Sequence, residues 1–124
     1  MSDALAAVTI GLHLFTAHSG GGLEAVNPGL YARTEAGLTV GVMRNSYRRT
    51  SVYAGWTFET ADRRFALTVG AIHGYPAKPA LLPLVVPSVR FGLGEHTSAR
   101  LAFIPKPPTY GRSHGLHLMV EKSF

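Results

Sequence analysis

The chain has no cysteine. That excludes a disulfide framework and any thiolate metal site, and it fits a reducing compartment. No apolar run approaches the roughly 20 residues that a membrane-spanning helix needs. Acidic side chains are few, 7 against 12 lysines and arginines, which leaves a formal net charge of +5. A positive balance favours anionic partners: phosphates, nucleic acid or acidic lipid head groups. The opening residues, Met1-Ser2-Asp3-Ala4-Leu5, lack the basic stretch and long apolar core of a secretory signal, so a cytoplasmic location is expected. With 124 residues the expectation is one domain, spanning 1–124. The 14 glycines and 8 prolines are spread out rather than clustered, as suits a β protein with many turns.

What is present is alternation. Residues 37–59 hold two apolar runs of period two around a polar, basic centre. Leu38, Val40 and Val42 oppose Thr39, Gly41 and Met43; Val52, Ala54, Trp56 and Phe58 oppose Ser51, Tyr53, Gly55 and Thr57. That is the pattern of half-buried strands, and Arg44-Asn45-Ser46-Tyr47-Arg48-Arg49-Thr50 reads as the hairpin turn between them. Further strands are expected at 8–15, 30–34, 65–73, 86–93, 98–104 and 115–124. In the first, Val8, Ile10, Leu12 and Leu14 face away from Thr9, Gly11, His13 and Phe15. Asn27-Pro28-Gly29 reads as a turn, and 76–83 as a proline-rich connection. Pro83 and Pro87 cannot donate to a ladder, so they predict a kinked strand or a lateral opening. Eight short strands with no helix between them predict an all-β fold, an eight-stranded antiparallel up-and-down β-barrel. Each strand has one apolar and one polar face, and periodicity alone leaves open which face is inside. The lack of an export signal favours a soluble barrel with the apolar face inward.

The segments Arg44-Asn45-Ser46-Tyr47, Tyr53-Ala54-Gly55-Trp56, Pro79-Ala80-Leu81-Leu82-Pro83-Leu84 and Phe103-Ile104-Pro105 carry a resemblance. The chain resembles the lipid A palmitoyltransferase family, small eight-stranded barrels of the bacterial outer membrane. It also resembles small phage-encoded proteins that share the Asn-Ser-Tyr and Arg-Thr-Ser-Val-Tyr-Ala-Gly core. The resemblance implies transfer of a palmitoyl chain from a phospholipid to lipid A. Its catalytic histidine falls on His13 and its serine on Ser46; its aspartate falls on Asn45, an amide that cannot carry the negative charge.

Three functions follow as expectations. The first is a soluble, non-enzymatic phage-type barrel that binds or sequesters a small anionic, nucleotide-like molecule and so counters host defence. Arginine forks suit phosphate, and the ligand-binding candidates are Arg44, Asn45, Ser46, Tyr47, Arg48, Arg49 and Tyr53. The second is an outer-membrane acyltransferase using His13 and Ser46, the one reading that needs a membrane. The third is an inhibitor that binds a host protein. No cofactor is implied. The histidines lack metal-ligand spacing on strands, and the scattered charge does not favour nucleic acid.

Overall fold

A computed structural model describes residues 8–18, 25–45, 49–74, 81–104 and 115–124. They form eight strands: β1 (Thr9–His18), β2 (Val26–Arg33), β3 (Leu38–Arg44), β4 (Thr50–Glu59), β5 (Phe65–His73), β6 (Leu81–Gly92), β7 (Thr97–Ile104) and β8 (Gly115–Ser123). Each pairs antiparallel with the next, and β8 returns to β1, closing the barrel. The fold is the eight-stranded antiparallel barrel that the alternation predicts. The described residues include no helix, and so none that could cross a membrane, a statement that does not bear on strands.

The two ends differ. At one end lie the tight turns 34–37, 60–64 and 93–96; at the other, β1, β3, β5 and β7 end and β2, β4, β6 and β8 begin. We call these the turn end and the loop end. In the 60–64 turn, Asp62 accepts from the Thr60 hydroxyl at 2.6 Å and from the Arg64 N–H at 3.0 Å. Those two hydrogen bonds hold its carboxyl below the usual carboxylate range.

The barrel turns its apolar face outward. On β4, Ser51, Tyr53 and Thr57 are buried in the lumen, while Val52, Trp56 and Phe58 are exposed. Large exposed apolar side chains occur on every strand, among them Leu12, Leu30, Val40, Leu67, Val85, Phe103 and Leu116. The lumen holds His13, Asn27, Arg33, Ser51, Arg100, His117 and Glu121. A polar interior is tolerable only if its groups satisfy one another. They do: among the described residues no buried side-chain nitrogen or oxygen lacks a partner.

Three local readings are corrected. First, β1 carries a bulge. His13 pairs with Met119 and Phe15 with Leu118, so Leu14 is an extra residue against β8. The inserted residue shifts the alternation by one. Phe15 therefore faces outward, 52% exposed, and Thr16 turns in, 6% exposed. Second, Asn27-Pro28-Gly29 is no turn; it runs within β2. Pro28 is exposed there, while Asn27 faces the lumen and is fully buried. Its side-chain hydrogen bonds take the place of a turn's local ones.

Third, β6 begins at Leu81 and contains both Pro83 and Pro87. The Arg90 N–H bonds Arg64 O, on the β5 side. By the alternation of an antiparallel ladder, even-numbered residues of β6 bond toward β5 and odd-numbered ones toward β7. Both prolines are odd, so their missing N–H groups would have pointed at β7. Accordingly β6 pairs with β5 along Leu81 to Val89, but with β7 only from Ser88 to Gly92. Among the described residues, the first half of β6 has one neighbour.

Candidate functional site

The lumen is built in levels. Nearest the turn end is a charged cluster. Glu121 on β8 accepts from Arg33 (3.0 and 3.1 Å), from Arg100 (2.8 and 3.2 Å) and from the Tyr31 hydroxyl (2.6 Å). Arg100 also meets Glu59 at 3.5 Å and donates to Ser88 at 2.9 Å. Four strands thus place two arginines and two glutamates at one level. The Tyr31 ring occupies the space beside Gly11, where any added Cβ would overlap it. Glycine is required there because backbone and ring approach so closely.

Above this level lies a polar chain. The Tyr53 hydroxyl is 2.7 Å from His13 Nε2, and His13 Nδ1 is 2.8 Å from His117 Nε2. His117 Nδ1 is 2.7 Å from Thr16 Oγ1, which donates to Asn27 Oδ1 at 2.6 Å. Asn27 Nδ2 donates to Arg44 O at 3.2 Å. Two local features make this chain. The Leu14 bulge turns Thr16 inward, and Gly41 leaves room for the Tyr53 ring.

An apolar cluster lies beside this chain. Ile72, Ala102 and Met119 are buried with the two tyrosine rings, and Met43, Leu82, Leu84, Val86 and Ile104 pack against them while staying half-buried. Leu82, Leu84 and Val86 belong to the half of β6 that, among the described residues, has no β7 partner. Tyr53 stands where this cluster meets the polar chain.

The candidate residues from the sequence divide accordingly. His13 is in the lumen, with both ring nitrogens engaged. Asn45 sits at the loop end, where its Nδ2 donates to Ser51 Oγ and Gly74 O, both at 2.9 Å, and its Oδ1 accepts from the Arg49 N–H at 3.2 Å. It is a structural clasp across the β3–β4 hairpin and onto the end of β5. Arg44 and Arg49 are exposed on that rim, and among the described residues neither meets a carboxylate. Tyr53 is inside the barrel, 8% exposed, rather than on the rim. Ser46, Tyr47 and Arg48 lie outside the described residues. No metal-ligating cluster occurs among the described residues. Sequence reasoning assigned no role to His117, Thr16, Asn27 or the Arg33–Glu121–Arg100 cluster. Arg33, Arg100 and Glu121 share the parity of the lumen-facing residues on their strands, and that was the available signal.

Fold and polarity together define a class: a small up-and-down barrel, apolar outside, with a polar and internally bonded lumen. No protein-family model matches the chain, and no curated protein matches it.

Proposed function

We propose that the chain is a membrane-embedded barrel that takes a lipid acyl chain into its lumen and transfers it, the reading implied by the palmitoyltransferase resemblance. The observation that carries this reading is the paired placement of apolar surface. The outside is apolar on every strand, and the inner wall of buried Ile72 with half-buried Leu82, Leu84 and Val86 lies behind the stretch of β6 that, among the described residues, has no β7 neighbour. An outward apolar surface this extensive is costly in water and suits hydrocarbon. Exposed aromatics support the orientation: Trp56, Phe58, Phe65 and Phe91 gather near the turn end, while Phe15 and Phe103 lie toward the loop end. Such girdles mark the two membrane interfaces, and short turns at one end with longer loops at the other are usual for these barrels. A linear acyl chain fits an apolar inner wall and would pass laterally beside Pro83 and Pro87, which have no N–H to give to a ladder.

The soluble anion-binding reading retains one supporting observation, the exposed Arg44 and Arg49 rim. That rim also suits the phosphates of lipid head groups.

The test is fractionation followed by assay. The chain is expressed, extracted and offered 4-nitrophenyl palmitate with decanol in detergent micelles. Partition into membranes or refolding only with detergent, together with decyl palmitate formation, is the expected result. A folded chain that stays soluble without detergent would overturn the membrane reading and return the anion-binding barrel to first place.

A further inference from the structure

The polar chain in the lumen has a direction, and the direction assigns chemistry. Thr16 has one hydroxyl proton and gives it to Asn27 Oδ1. Its oxygen must therefore accept from His117 Nδ1–H. His117 Nε2 is then a lone pair and accepts His13 Nδ1–H. His13 Nε2, also a lone pair, accepts the Tyr53 hydroxyl proton. All four links run the same way, both histidines are neutral, and Asn27 fixes the sense by donating onward to the Arg44 carbonyl. The Tyr53 oxygen is left with lone pairs only for anything else in the lumen.

Resting on the acyl-transfer reading, we infer that Tyr53, with His13 behind it, is the base for the acyl acceptor, and that His117 is the positioning residue that holds His13 in the tautomer this requires. A hydroxyl (or amine) bound beside Tyr53 would donate its proton to Oη, because that oxygen can only accept. Tyr53 borders the apolar wall, so an acyl chain lying on Leu82, Leu84 and Ile72 would bring an ester carbonyl to the same place. As the acceptor oxygen attacks the carbonyl carbon, its proton passes to Tyr53 Oη while the Tyr53 proton passes to His13 Nε2. The tetrahedral intermediate collapses by breaking the donor ester C–O bond. The leaving alkoxide recovers the proton from His13 through Tyr53. One C–O bond forms, one breaks, and no proton is gained or lost. This is the geometry of a reacting hydroxyl, a base and an orienting group in sequence. The Leu14 bulge supports it independently, since bulges re-aim side chains next to reactive sites, and this one brings Thr16 to His117.

The experiment has two readouts. Long-range proton–nitrogen NMR of the imidazoles in the refolded chain should show both His13 and His117 protonated at Nδ1 and bare at Nε2. Either ring protonated at Nε2 in the wild type would overturn the relay, whatever the activity. In the decanol assay, Tyr53→Phe and His117→Leu should each lower transfer about 100-fold or more, the lower range of general acid–base effects. His117→Gln should restore most of it. The glutamine oxygen can accept from His13 while its amide donates to Thr16, so a merely space-filling role would not discriminate the two variants in this way. Unchanged transfer in Tyr53→Phe with an active wild type would overturn the relay alone. A wild type that moves no acyl group would overturn the acyl-transfer reading, and Tyr53's catalytic role with it. Should Tyr53→Phe fail to fold, the wild-type spectrum still decides the hydrogen-bond direction.

Discussion

Two seams of the barrel differ in a way opposite to what connectivity would lead one to expect. β1 and β8 are the ends of the strand order, joined by no turn, yet they pair over nine residues from Thr9↔Ser123 to His18↔Gly115. β6 and β7 follow each other through a four-residue turn, yet among the described residues twelve-residue β6 pairs with β7 over only five. The closing seam is backed from inside by the Glu121 cluster and by the His13–His117 bond, which joins β1 and β8 directly. The β6–β7 seam is faced by Pro83 and Pro87, which have no N–H to give, and is backed by half-buried aliphatic side chains. Covalent proximity therefore does not decide where a small barrel is tight. The donors a strand can offer, and the polar groups that bridge behind it, decide that.

Breaking the closing seam should have the largest effect. Glu121→Leu leaves Arg33 and Arg100 buried without their carboxylate and should cost about 3–5 kcal/mol, read by denaturant unfolding of the refolded chain. Replacing both arginines by methionine in the same chain should recover most of that loss, because the charges are then absent rather than orphaned. Thr16→Val comes next. It keeps the shape but removes both hydrogen bonds of the Thr16 hydroxyl, to His117 and to Asn27, and should cost about 2–4 kcal/mol; heat-dependent electrophoretic mobility would report it. Gly11→Ala, also on β1, should cost about 1–3 kcal/mol by driving a methyl into the Tyr31 ring. Its counterpart on β6, Gly92→Ala, meets nothing within 4 Å and should stay within about 0.5 kcal/mol. Equal effects at the two glycines would undo the comparison between seams.

The smallest effect sharpens it. Amide exchange along β6 should alternate, with Leu84 protected by β5 and Val85, whose N–H points to the β7 side, exchanging as an open amide. Uniform protection from Leu82 to Val86 would mean that the seam is closed. Pro83→Ala combined with Pro87→Ala should leave stability nearly unchanged and lower the rate of acyl entry, seen as a higher KM with little change in kcat.

The architecture was legible because period-two alternation survives along nearly every strand, and eight such runs leave few other solutions. Three things were not legible. Nothing in His13-Leu14-Phe15-Thr16 marks a bulge; it shows only in the pairing, where between His13 and Phe15 the partner advances one residue on β8 and three on β2. Asn27-Pro28-Gly29 carries every local sign of a turn, and tertiary hydrogen bonds from Asn27 override them. Alternation also gives two faces without saying which is inside. The compatible charges, Arg33 and Arg100 with Glu121, contained that answer, but only a closed strand order brings residues so distant in sequence to one point. The site was half visible for the same reason. His13 and Tyr53 could be singled out one at a time, whereas the partner that gives them meaning, His117, becomes adjacent only when the barrel shuts.

The Arg33–Glu121–Arg100–Glu59 level has an electrical meaning as well. Two positive and two negative side chains are tied to one another in a cross-section that an eight-stranded barrel leaves barely wide enough for side chains. Such a layer leaves an ion little room to pass. Set in a planar bilayer under voltage, the chain should pass no steady current, and Glu121→Leu, by leaving an uncompensated positive ring, should make it flicker.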